Sequence, residues 1–130
     1  MDPAQALHEL TELSSQIASA VVLGADGSVL ASTHDDPARA AALAGTALDL
    51  VAAAFDLNTQ AQEVTRVEVE LENGAVFVLR DGGRMIAATT GPDPTSGLVV
   101  YDLRTCIHGI AEPESKKKRR TTPKAKEGGA

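Results

Sequence analysis

The sequence predicts an α/β sandwich in which one five-stranded antiparallel sheet carries helices on both faces. Three observations predict it. Residues 63–90 read as three consecutive strands joined by tight turns. An apolar hairpin around Gly24-Ala25-Asp26-Gly27 supplies two more strands. Three amphipathic segments of helical period interleave with these, giving the order α-β-β-α-β-β-β-α. The second helix separates the hairpin from the three-stranded meander, so it is expected on the face opposite helices one and three.

The elements follow in order. Residues 2–17 read as the first helix: Asp2 caps it, Pro3 suits the first helical position, and Leu7, Leu10, Leu13 and Ile17 form one apolar stripe. Ser19 to Leu23 is a short apolar strand and Ser28 to Thr33 its hairpin partner. Asp35 or Asp36 caps a second, Ala-rich helix that has Pro37 at its first position and runs to about Phe55. Residues 56–63 are a polar connection. Along the next strand, Thr65, Val67, Val69 and Leu71 alternate with Arg66, Glu68, Glu70 and Glu72, which puts apolar groups on one sheet face and charges on the other. Asn73-Gly74 is a type I′ hairpin signal, because both residues tolerate positive φ. Ala75 to Arg80 is nearly continuous in apolar residues, as a central strand covered on both faces requires. Asp81-Gly82-Gly83 turns the chain, and Met85 to Thr90 returns. After a Pro- and Gly-rich loop, Leu98 to Ile110 forms the third helix, with Val99, Leu103, Ile107 and Ile110 on one face. From Ala111 the residues are charged and almost lack large apolar side chains, so 111–130 is expected to be a disordered basic tail on a domain of residues 1–110.

Composition limits the function classes. The chain has 130 residues and 43% hydrophobic content, enough for one core. Aromatic residues make up only 2%, so stacking platforms for single-stranded nucleic acid are missing. No apolar run approaches the roughly 20 residues that span a bilayer, and the first ten residues lack a signal-peptide pattern. The single Cys106 leaves no internal disulfide and no cysteine metal cluster, and a cytoplasmic protein is expected. The net charge of −6 conceals a division: residues 1–110 carry 15 acidic and five basic side chains, and all five lysines lie beyond them. So acidic a body repels phosphates, and the folded part is not expected to read nucleic acid.

Catalytic constellations are absent from the sequence. His8, His34 and His108 stand far apart, and His108 near a helix end suits the helix dipole. Cys106 has only Arg104 as a basic neighbour and reads as a structural thiol. Gly24 to Gly27 is a turn rather than a phosphate loop, since no Lys or Ser/Thr follows at the required spacing. Glu68, Glu70 and Glu72 read as a solvated strand face before a cation site. No metal, cofactor or catalytic residue is expected.

The second helix carries more information. Arg39, Ala42, Thr46, Asp49, Ala53 and Asp56 form its only polar stripe. Leu43, Ala47, Leu50, Val51 and Ala54 lie to one side of that stripe, while Ala41, Ala44, Leu48, Ala52 and Phe55 continue round the back. A helix lying on one sheet needs an apolar arc of roughly 100°, and this one is wider. Either the helix is sunk in its own domain or it also packs on a second subunit.

Together these features resemble the Roadblock family, the dynein light chain type with many bacterial members. The resemblance covers about residues 4–110. It is carried by the Leu7-Leu10-Leu13 helix, the hairpin Val21 to Ala31, the Ala-rich second helix, the meander, and Gly97 ahead of a helix containing Arg104. It implies a profilin-like sandwich that homodimerises through edge strands and second helices. It further implies a non-catalytic regulator or scaffold for a small Ras-like GTPase, with a small-molecule sensor or general protein-interaction module of the same fold as the alternative. Arg39, Thr46 and Asp49 are the expected partner contacts. For the dimer, antiparallel pairing of residues 65–72 with their own copy places a two-fold axis at Glu68 and sets Arg66 opposite Glu70. Leu43, Ala47 and Leu50 are expected to supply its affinity. Lys116, Lys117, Lys118, Arg119 and Arg120 make the tail either a solvated solubility segment or an attachment to anionic lipid, nucleic acid or the acidic body.

Overall fold

A computed structural model describes residues 1–57 and 63–110. It contains α1 (Pro3–Leu13), β1 (Ile17–Leu23), β2 (Val29–Ser32), α2 (Pro37–Asp56), β3 (Arg66–Leu71), β4 (Gly74–Asp81), β5 (Arg84–Thr90) and α3 (Ser96–His108). The strands form one five-stranded sheet in the order β2-β1-β5-β4-β3, antiparallel throughout. The predicted fold class and element order are therefore those of the molecule. The predicted 111–130 tail lies outside the described residues.

Period-two alternation divides the core between the two sheet faces. Val22, Phe77, Ile86 and Ala88 point to the face covered by α1 and α3, where they meet Leu7, Leu10, Val99 and Leu103. Their neighbours Val21, Leu23, Val78 and Ala87 point to the other face, under Leu43, Ala44, Ala47 and Val51 of α2. Both faces of β1, β4 and β5 are thus covered, and these strands read as apolar runs. Each fully buried Leu, Val or Phe contributes roughly 1.5–3 kcal/mol.

The helix starts behave as their capping residues predict. Asp2 Oδ1 accepts from the Gln5 amide at 2.8 Å, and Asp36 Oδ1 accepts from the Ala38 amide at 2.9 Å. The end of α1 differs from the expected one. The helix stops at Leu13, the Ser14 amide closes it on the Leu10 carbonyl, and Ile17 opens β1. Ser14 and Ser15 break the helix because hydroxyls compete for backbone groups; the Gln16 amide donates to Ser14 Oγ. Leu13 is left 77% exposed rather than in the core.

The β3–β4 turn also differs. Leu71 pairs with Gly74, so the turn residues are Glu72 and Asn73. Asp93 is the one non-glycine residue with positive φ among the described residues, so the turn is not type I′. Gly74 has another reason to be glycine: a Cβ there would collide with the Thr90 carbonyl oxygen on β5. In the β4–β5 turn, Gly82 supplies the positive φ of 61°. By length and composition α2 could cross a membrane, contrary to the reading from apolar runs, but one of its faces lies on the sheet.

Candidate interaction surface

Among the described elements the sheet ends in β2 on one side and β3 on the other. The backbone of β3 is half used. The Arg80 amide donates to the Thr65 carbonyl, and the register Val67–Val78, Val69–Val76, Leu71–Gly74 continues that phase. In an antiparallel ladder the residues between, here Arg66, Glu68 and Glu70, aim their N–H and C=O groups at the free edge. Their side chains are exposed on the α3 side of the sheet, while Val67 packs beneath α2. Glu68 is held there, accepting a 2.6 Å bond from Ser96 Oγ at the start of α3.

The wide apolar arc of α2 resolves into two separate stripes. Ala40, Leu43, Ala44, Ala47 and Val51 are buried on the sheet. Leu43 and Ala47 therefore belong to the chain's own core and cannot meet a second subunit, which corrects their assignment to a dimer contact. Leu50 is half-buried in the same cluster. A second stripe, Ala41, Gly45, Leu48, Ala52 and Phe55, recurs at spacings of three and four and is exposed, with Leu48 at 40% and Phe55 at 45%. A Cβ on Gly45 would meet nothing within 4 Å, so another backbone could approach closely there.

The two flanks of α2 are distinguishable. Leu48 reaches the β1–β2 turn, where a Cβ at Gly27 would stand 3.3 Å from Leu48 Cδ1. The Ala41–Phe55 stripe therefore lies towards β2. The opposite flank, towards β3, carries Arg39, Thr46 and Ala53, all exposed, beside Leu50. Asp49 lies on the outer surface between the two flanks. The sequence shows these residues but not which stripe the sheet takes, because Ala, Leu and Val serve both equally well.

The chemistry-bearing residues are dispersed. Cys106 is buried beside α1, and desolvation, with Glu9 adding to it, raises its thiol to about 11. His108 Nε2 pairs with Asp81 at 2.5 Å, tying the end of α3 to the β4–β5 turn. Asp26 Oδ1 accepts from both the amide and hydroxyl of Ser28, which lowers its carboxyl and fixes the β1–β2 turn. Among the described residues no three His, Cys, Asp or Glu side chains converge on a metal position. Lys116 to Arg120 lie outside the described residues.

A profile of the Roadblock/LC7 domain matches residues 3–90. The chain belongs to the Roadblock/LC7 family. The match ends at the last residue of β5, so α3 lies beyond it although the resemblance read from the sequence extends to residue 110. Solved structures share the fold. A Roadblock/LC7 domain from Streptomyces avermitilis superposes with a TM-score of 0.73 at 23% identity, covering 83% of this chain and 93% of that one. Gliding protein MglB from Thermus thermophilus superposes at 0.58 with 18% identity, over 80% and 84%. MglC from Myxococcus xanthus gives 0.53 at 15% identity, over 78% and 90%. No curated protein matches the chain significantly by sequence.

Proposed function

We propose that this Roadblock/LC7 chain is a homodimeric binding module without catalysis of its own, which regulates or scaffolds a small Ras-like GTPase. The observation that carries the reading is the free edge of β3 beside an exposed flank of α2. Two copies paired antiparallel through β3 extend one sheet into the next and bring their α2 helices side by side. Leu50, Thr46 and Ala53 then face the second copy. With the axis at Glu68, Arg66 of each copy opposes Glu70 of the other, and the Ser96 hydroxyl draws each Glu68 carboxylate towards its own α3. The stripe Ala41 to Phe55 stays on the far flank of α2, open to a different partner. A tetrameric arrangement of MglB, a structural neighbour, favours self-association.

Calorimetric titration against a Ras-like GTPase of the source organism, in its GDP and GTP-analogue forms, tests the reading. Wild type is expected to bind, more weakly as salt rises, because rim charges on an acidic body steer encounter. Leu48→Asp is expected to lose at least tenfold in affinity while keeping its oligomeric state. Binding unaffected by Leu48→Asp removes the stripe from the account, and no binding in either nucleotide state removes the GTPase.

A further inference from the structure

Helices α1 and α3 cover one face of the sheet and leave a groove between their outer sides. They run antiparallel: the Met1 nitrogen donates to the Gly109 carbonyl at 3.1 Å at one end, and the Thr95 amide donates to Gln16 Oε1 at 2.6 Å at the other. The cavity between them has a volume of about 330 Å³. Its apolar lining includes Leu10 and Leu13 of α1 and Tyr101 and Cys106 of α3. Leu10 and Cys106 are buried and form its floor, whereas Leu13 is 77% and Tyr101 68% exposed. Leu98, one turn before Tyr101 on α3, is exposed as well. Three large apolar side chains thus gather where α1 stops and α3 starts. Single exposed leucines are ordinary, but a set of them beside a cavity marks an interaction site.

The charge around the groove has one sign. Glu9 and Asp102 line it, and among the described residues no basic side chain does. The basic side chains of the two helices are engaged elsewhere: His8 pairs with Glu12 at 3.3 Å, and Arg104 and His108 line a cleft beside β4. The Met1 nitrogen is taken by the Gly109 carbonyl.

These features select the occupant. Lipid headgroups of negative charge and phosphate backbones are repelled by Glu9 and Asp102. A second copy docking through the same groove sets like charges against each other. An extended segment would bury its N–H and C=O groups against two helices whose own backbone groups are paired internally, and would find no partners there. A helix satisfies its own backbone, and the groove between two packed helices matches the ridges of a third. The 11 residues of α1 give the groove about 16 Å of length, enough for about three helical turns.

We propose that the α1–α3 groove is a docking site for a basic amphipathic helix of a partner protein. Apolar side chains of that helix, at spacings of three and four, enter between Leu13 and Tyr101, and its flanking Lys or Arg residues meet Glu9 and Asp102. The proposal does not rest on dimerisation or on a GTPase, since α2 and its stripes lie on the opposite face of the sheet.

A synthetic peptide of Leu and Lys, with its leucines at helical spacings of three and four, titrated at low salt into the isotopically labelled full chain tests it. The peptide is expected to bind and to shift the amides of α1 and α3 while those of α2 stay in place. A Leu/Glu peptide of the same pattern is expected to bind at least tenfold more weakly. Tyr101→Ser and Glu9→Gln/Asp102→Asn are each expected to lose at least tenfold in affinity for the Leu/Lys peptide. Tyr101 and Glu9 are exposed and Asp102 is half-buried, and an unchanged amide spectrum of β4 and β5 verifies that the variants keep the fold. Shifts confined to α2, equal affinity for the two peptides, or variants that bind like wild type overturn the proposal. No binding to the wild type overturns it as well and leaves the groove to another part of this chain or to a second copy.

Discussion

At the scale of single residues, side-chain identity is set by what stands beside each position. Gly74 pairs with Leu71 at the start of β4, where β5 leaves no room for a Cβ. Gly74→Ala is expected to destabilise the fold by about 1–3 kcal/mol, an overpacking cost visible in denaturant unfolding. Gly45→Ala, by contrast, adds its methyl to open space and is expected to stabilise the helix by roughly 0.5–1 kcal/mol. Cys106 offers a second measurement. Its folded thiol is raised to about 11 from an ordinary value of 9.0, so the native state holds a proton that the unfolded chain releases. Stability from this group is complete below about pH 9 and declines as pH rises towards 11. At pH 7.5 the native thiol is expected to react with a disulfide reagent only on unfolding. A fast native reaction would mean the side chain is not buried as described.

At the scale of elements, β3 and α2 carry the functional argument. Glu68 aims its N–H at the free edge rather than at β4, so Glu68→Pro leaves the β3–β4 ladder intact. That variant is expected to keep a native circular dichroism spectrum and to be monomeric. Arg66→Glu should weaken the dimer by only about 0.2–1 kcal/mol, since exposed ion pairs set register more than affinity. Leu43→Asp is expected to unfold the chain, because Leu43 is buried between α2 and the sheet. Strand alternation made the β3 edge legible in the sequence, and the capping residues Asp2 and Asp36 located two helix starts. What the sequence left open follows from degeneracy. Ala, Leu and Val do not record which α2 stripe meets the sheet, so Leu43 and Ala47 read like surface contacts. Nor does a pattern of spacings show two backbones in contact, so Gly74 read as a turn residue.

At the scale of the whole molecule, the charge division and the two ends of the sheet set what the chain can join. With 15 acidic side chains against five basic ones, residues 1–110 form a body whose net charge repels phosphate backbones. Removal of residues 111–130 is expected to leave the thermal unfolding midpoint of the domain nearly unchanged, because the core of α1, α3 and the sheet is complete by Ile110. The central claim is that β3 and the adjoining flank of α2 join two copies. Sedimentation equilibrium of the full chain at micromolar concentration, beside Glu68→Pro, tests it most directly. The account predicts twice the 13.4 kDa chain mass for wild type and the single-chain mass for a folded Glu68→Pro. A monomeric wild type, or a Glu68→Pro that remains dimeric, would contradict it.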